Sequence, residues 1–328
     1  RFIVSTIFAV NMIGWFGIQN GVCGEAFSNA MLAMTGWDIP VVVSNTIWGI
    51  IMLLTAVYGV HALEKLDKIS IPLLMIIMCY GTFLAFKVYG TGNLNDEGTV
   101  QSMSFMSGVA LSFNFTAVGT ITGPDYTRFQ KSRKDTVKSV FYGVFPMGVI
   151  TLIMGIVLTK LSGQYDISMV LIEVGLPLLG IIALVISTWT TNSTNAYSAG
   201  LNIVMALKLK DNRRREATLI SGIVGIVLCD LGILGHIEGV LSLLSYVVCP
   251  VGGVILADYW VVGKGKAKNF RPQDGVNWAG VIAWALGAII SYTLVKIEFV
   301  GFIIGFVIYH IAVRFILSAS IDNAENIA

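Results

Sequence analysis

Asn11, Trp15 and Gln19 follow one another at intervals of four, so any helix that holds them places all three on one face. An indole between two carboxamides can stack on a planar ring and read the hydrogen-bonding groups at its edge. The same trio can equally be a core tryptophan beside an interhelical hydrogen bond, and this stretch alone leaves both readings open. Gly14, Gly17, Gly21 and Gly24 form a second stripe, which lets a neighbouring backbone approach closely. A denser polar run lies at Ser187-Thr188-Trp189-Thr190-Thr191-Asn192-Ser193-Thr194-Asn195, with eight polar side chains in nine residues. Serine and threonine can bond back to their own helix, but that habit alone does not account for so many. Hydroxyl and carbonyl oxygens are the hard ligands a small cation prefers. Asn192 and Asn195, three apart and on a shared face, add amides able to read a polar heterocycle.

The elements that must position these groups are membrane helices. The 328 residues are 55% hydrophobic and 12% charged, with a mean hydropathy of +0.80. Soluble domains carry about 25% charged residues, and halving that share suits a chain whose surface meets lipid. Backbone groups in lipid must be satisfied internally, which leaves helices or closed barrels. The apolar runs are long and continuous rather than alternating segments of about ten residues, so helices are expected. Spans are expected near residues 2–34, 40–60, 69–89, 104–122, 138–159, 176–206, 217–234, 239–262, 277–295 and 298–317. Of the 21 Lys and Arg residues, 18 fall in one alternate set of loops, and only Lys87, Lys160 and Lys296 in the other. Positive charge accumulates on the cytoplasmic side, so both ends of this chain are expected there, in a multi-pass protein of the inner or plasma membrane. Each basic cluster is read first as a topological anchor and second as a contact for anionic lipid.

Two of the outward segments carry more than a turn. Gly90–Ser102 reads as a glycine-rich surface loop, and Ser162–Gly175 as a loop containing a short interfacial helix. The fourth span, Phe113-Asn114-Phe115-Thr116-Ala117-Val118-Gly119-Thr120, is expected to be broken between Phe115 and Gly119, with Pro124 and Asp125 ending it at the surface. Broken helices lining a cavity are a common way for transporters to hold substrate and ion. Glu25 lies ten residues past Trp15, as a structural or vestibular acid or as a proton-coupling group. Asp230 and Asp258 sit at span ends, and the three histidines are scattered. Cys23, Cys79, Cys229 and Cys249 fall in apolar runs without metal or redox spacing and are expected to be small buried hydrophobes. No nucleophile elbow, zinc-protease motif or phosphate-binding loop occurs in the sequence, which disfavours an enzyme.

Four segments then carry a resemblance. Gly14-Trp15-Phe16-Gly17, Gly119-Thr120-Ile121-Thr122 with Asp125-Tyr126-Thr127-Arg128-Phe129, Trp189-Thr190-Thr191-Asn192 and Pro250-Val251-Gly252-Gly253-Val254-Ile255-Leu256-Ala257-Asp258-Tyr259 resemble the cytosine/purine branch of the nucleobase:cation symporters, in order and along essentially the whole chain. The resemblance implies an all-α LeuT-type five-plus-five inverted repeat, with residues 1–328 as one transmembrane domain: core helices 3–10 over 1–262 and two appended helices over 277–317. It places family helices one and two before Arg1, consistent with a chain that starts partway through a longer protein and, as written, does not transport by itself.

The resemblance further implies a secondary transporter that imports a nucleobase or related planar heterocycle with a cation. Trp15 would stack on one face of the base and Phe115 on the other, with Phe113 as the alternative in that register. Gln19, Asn192 and Asn195 would bond the base edge, while Thr190 and Thr191 would give oxygens to sodium. Cytosine permeases carry a glutamine three residues before the tryptophan, where this chain has Met12; its glutamine is Gln19, as in relatives that take other rings. Purines, hydroxymethylpyrimidine, allantoin and hydantoins therefore stay open beside cytosine. Neither a cofactor beyond the coupling Na⁺ or H⁺ nor a protein or nucleic-acid partner is implied. The rival from another class is an uncoupled facilitator or channel.

Overall fold

The computed structural model describes residues 2–95, 104–164, 166–269 and 275–325. Every regular element among the described residues is a helix, with no strand among them. The helices are α1 (Phe2–Thr35), α2 (Val41–Tyr58), α3 (Val60–Tyr89), α4 (Phe105–Ile121), α5 (Gly123–Thr127), α6 (Arg133–Lys138), α7 (Phe145–Ser162), α8 (Ile167–Glu173), α9 (Pro177–Ala206), α10 (Arg214–Asp230), α11 (Ile237–Leu256), α12 (Trp278–Ile290) and α13 (Val300–Glu325). Wider π-helical turns join α6 to α7 and extend α11 and α12.

Each of the ten expected spans has a helix. Six stretches among the described residues are long and apolar enough to cross a membrane: Phe2–Thr35, Val41–Tyr58, Val60–Tyr89, Arg133–Ser162, Ile233–Val262 and Trp278–Val295. The others miss for identifiable reasons. Helices α4 and α10 have 17 residues each, the apolar part of α13 runs only from Val300 to Phe315, and α9 carries the polar run through its centre.

Three expectations change. The stretch 61–68, read as a loop between spans, belongs to α3: Glu64 and Lys68 pair one turn apart at 2.7 Å, and the chain breaks instead at Gly59, whose φ of 92° ends α2. Helix α4 runs unbroken through 115–119, because one glycine is tolerated inside a helix and Thr116 bonds back to Ser112 O at 3.1 Å. The break falls at Thr122, ahead of Pro124, which has no N–H to continue the ladder. Cys79 is exposed, whereas the other three cysteines are buried. The short helix expected within Ser162–Gly175 is α8, its start capped by Asp166 accepting from Ser168 N at 2.8 Å. Most of the expected loop at Gly90–Ser102, residues 96–102, lies outside the described residues.

The chain forms two compact units, Arg1–Gln101 with Thr127–Ile237, and Ser102–Tyr126 with Glu238–Ala328. Helix α1 is the post of the first. It is buried on nearly every side from Phe8 to Ala30, because its small residues admit neighbouring backbones. A methyl group on Gly17 would lie 3.0 Å from Gly225 O of α10, and one on Gly24 would lie 2.8 Å from Asn45 N of α2. In the second unit Pro250 of α11 sits among glycines: methyls on Gly287 and Gly301 would each come within 2.9 Å of its ring, and one on Gly305 within 2.7 Å of its carbonyl. A proline costs α11 a ladder bond, and the glycines let α12 and α13 close around that point.

Candidate functional site

Helices α1 and α9 pack along one another, and α9's polar run divides by face. On the inner face, Asn192 is fully buried and donates from Nδ2 to Phe16 O at 3.1 Å, while Ser193 donates to Met52 O at 3.0 Å. Trp189 donates from Nε1 to Thr55 Oγ1 at 2.9 Å. These bonds fasten α9 to α1 and α2, which is what a buried polar group in a low-dielectric interior must do to offset its desolvation. On the other face the side chains are only partly buried or exposed. Thr190 and Thr191 both donate to Ser187 O, at 3.0 and 3.1 Å, and Thr194 to Thr190 O at 3.0 Å. Back-bonding therefore claims more of these hydroxyls than the sequence reading allowed. It uses the hydroxyl hydrogens, and each oxygen keeps acceptor lone pairs.

The bond from Asn192 to Phe16 sets the level at which the two helices meet, so Trp15 and Gln19 lie within about one turn of it along α1. Trp15 is 9% exposed and Gln19 half-buried, and half-buried Asn195 donates to Asn192 Oδ1 at 3.5 Å. Five of the expected residues, Trp15, Gln19, Thr190, Thr191 and Asn195, thus belong to one helix pair. Asn192 is on the same pair but turned into the core. Asn11 is also fully buried, with neither amide atom hydrogen-bonded among the described residues. Phe115 is on α4, in the other unit, and its side chain lies outside the described residues. Phe113 of the same helix packs on Phe299, ring centres 5.6 Å apart. Glu25 is exposed, some 15 Å along α1 from Trp15 at a rise of about 1.5 Å per residue.

Sequence reasoning missed a second polar connection. Asn20 donates to Asn45 O at 2.8 Å, Asn45 to Asp230 Oδ1 at 3.1 Å, and the Ser28 and Ser44 hydroxyls meet at 2.8 Å. The available signal was Asn45, the one carboxamide in a mostly apolar helix, since an amide at membrane depth requires a partner.

Residues 1–317 match the family described as a permease for cytosine/purines, uracil, thiamine and allantoin. The chain belongs to that family. Its relatives include the cytosine permease of Escherichia coli K12, 31% identical over 307 residues, which are 92% of this chain and 70% of that protein. The hydantoin permease of Microbacterium maritypicum is 21% identical, covering 93% of this chain and 68% of its own length. The allantoin permease of Bacillus subtilis is 24% identical, with 93% and 73% covered. Among solved structures, Mhp1, a nucleobase-cation-symport-1 family transporter in a closed conformation with bromovinylhydantoin bound, superposes with a TM-score of 0.75 at 18% identity, covering 97% of this chain and 76% of Mhp1. Inward-facing Mhp1 gives 0.72 at 20% identity. This member of the cytosine/purine permease family therefore has the LeuT-type helical fold, and it is a multi-pass membrane transporter rather than an enzyme.

Proposed function

We infer that this permease carries a planar nitrogenous heterocycle of the cytosine or purine class inward across the cell membrane, together with a cation. The observation that carries the substrate reading is that Trp15 and Gln19 of α1 lie within about one turn of the Asn192–Phe16 bond, the level at which the polar run of α9 meets α1. An indole face supplies sequence-tolerant stacking, worth about 1–3 kcal/mol for a base. Gln19 offers both donor and acceptor to the ring edge. Asn195, half-buried where Asn192 is fully buried, is the better placed of the two asparagines to meet a ligand. Asn192 then acts by holding α9 in register, and it reaches a base only through an oxygen already shared with Asn195.

For the ion, Thr190 and Thr191 offer oxygen lone pairs on the less buried face of α9, which suits Na⁺; Glu25 keeps H⁺ as the alternative. Coupling requires that the ion bind one state of the carrier better than the other. The uneven distribution of Lys and Arg supports cytoplasmic positions for both ends of this sequence.

The test is uptake of labelled cytosine by cells expressing the complete gene product, with and without Na⁺, against unlabelled purines, hydantoin and allantoin. Sodium-dependent uptake, competed by the preferred ring, is expected. Uptake indifferent to both Na⁺ and pH would replace symport with facilitation.

A further inference from the structure

A cavity of about 480 Å³ lies in the second unit, between the end of the α11 extension and α13. Its polar lining is Lys264, Lys268 and Asn269 on one side and His310 and Arg314 on the other, with no carboxylate in the lining among the described residues. None of Lys264, Lys268, His310 and Arg314 is in an ion pair among the described residues, in contrast to Lys68 and Arg213, which have Glu64 and Glu216. The nearby acid, Asp258, is engaged elsewhere: its Oδ1 accepts from Tyr309 OH at 2.8 Å, and Asn277 Nδ2 donates to that hydroxyl oxygen at 3.3 Å.

The wall carrying the two lysines is built in place. Gly263 N donates to Asp258 O at 2.7 Å, Asn269 Nδ2 to Gly263 O at 2.9 Å, and Tyr259 OH to Gly265 O at 3.1 Å. The remaining lining is apolar, with Val262 and Val313 on opposite sides. Aromatic rings mark the depth. Tyr259 and Trp260 stack edge-to-face at 5.2 Å, both exposed, and exposed Trp278 begins the helix that follows the same loop. Amphipathic rings collect at the headgroup level of a bilayer, and basic pockets at that level bind anionic lipid headgroups.

From this juxtaposition of unpaired basic groups, valine walls and interfacial aromatics, we propose that the cavity binds the phosphate headgroup of an anionic membrane lipid. The phosphate oxygens take hydrogen bonds from Lys264, Lys268 and Arg314, and His310 donates from a ring nitrogen. The acyl chains leave past the valines. A soluble phosphate would use the same donors but gain nothing from the valine walls or from the aromatic collar, which is why a lipid is the occupant. The site is independent of the transported substrate.

The deciding experiment is native mass spectrometry of the whole chain in neutral detergent, offered equal phosphatidylglycerol and phosphatidylcholine with matched acyl chains and, separately, inorganic phosphate. The wild type should retain phosphatidylglycerol selectively. Removing one charge should weaken retention about fivefold, so that Lys264→Gln/Lys268→Gln/Arg314→Gln weakens it on the order of a hundredfold. Lys65→Gln/Lys68→Gln, which removes basic charge from α3, should leave it unchanged. If the triple variant does not fold, Lys264→Gln alone, in an exposed loop, should still show the fivefold step. Equal retention of phosphatidylcholine, undiminished retention by the Lys264 variants, or occupancy by inorganic phosphate in place of lipid would each overturn the assignment.

Discussion

At the residue scale Asn192 and Asn195 of α9 are proposed to divide stability from binding between them. Asn192 is fully buried and bonded to the α1 backbone, so Asn192→Ala gives up that bond and leaves a void. A loss of about 1–3 kcal/mol of stability is expected, read as a lower melting temperature in detergent. Asn195→Ala should leave the melting temperature nearly unchanged and raise the KM for uptake. Trp15→Ala should raise KM for the heterocycle by roughly ten- to a hundredfold if the indole supplies stacking. Thr190→Ala is expected to weaken the dependence of uptake on Na⁺ concentration with less effect on KM at saturating ion; an unaltered sodium response would remove Thr190 from the ion site. The spacing of Trp15 with Gln19 was legible in the sequence because helical period alone puts them on one face. The division of the serine, threonine and asparagine run into bonded and less buried members was not. It depends on which side α1 and α2 cover, and the nine residues carry no record of that.

At the element scale the point of interest is where α2 ends and α3 begins. With Gly59 as the only residue between them, its N–H donates to Ala56 O at 3.1 Å, and the remaining late carbonyls of α2 need a donor from elsewhere. Arg214, at the start of α10, supplies it, donating to Ala56 O at 3.4 Å and Val57 O at 3.2 Å while its guanidinium lies 4.9 Å from the centre of the Tyr197 ring. Lysine reproduces neither the fork nor the planar stack, so Arg214→Lys should be destabilising almost as much as Arg214→Ala, by about 1–3 kcal/mol in thermal unfolding. A lysine variant as stable as wild type would reduce Arg214 to a surface charge. Close approaches set a second limit. A methyl on Gly200 of α9 would meet Thr218 N and Cα of α10 at 2.7 Å, backbone that cannot yield. Gly200→Ala should therefore cost about 1–3 kcal/mol through overpacking. Helix α4 is the reverse lesson. Its mixture of Gly119 and hydroxyls suggested a break at 115–119, but back-bonding absorbs hydroxyls without opening a helix, and the proline position decided where the ladder stopped.

At the scale of the whole molecule the testable property is orientation. A cysteine placed at Gln164, in the loop before α8, should react with a membrane-impermeant maleimide on intact cells. One placed at Asn212, in the basic turn before α10, should react only after permeabilisation; the exposed Cys79 would first be replaced. The opposite pattern would invert the topology inferred from the charges.

That this is a helical membrane chain, roughly where its helices lie, and which family it belongs to could all be read from the residues in order. Those features follow from local quantities: apolar run length set against the thickness of a bilayer, charge counted loop by loop, and short motifs in order. Which polar side chains are structural and which remain available depends instead on how the helices pack. Asn192 spends its amide on Phe16 O, Asp230 is tied to Asn45, and Arg214 closes the end of α2, each through a partner more than 150 residues away in the chain. The basic cavity at Lys264 and Arg314 arises in the same way, from two basic segments that lie far apart in the sequence. Burial and hydrogen bonding between distant segments are fixed by how helices pack, and neither residue type nor spacing along one helix encodes that packing.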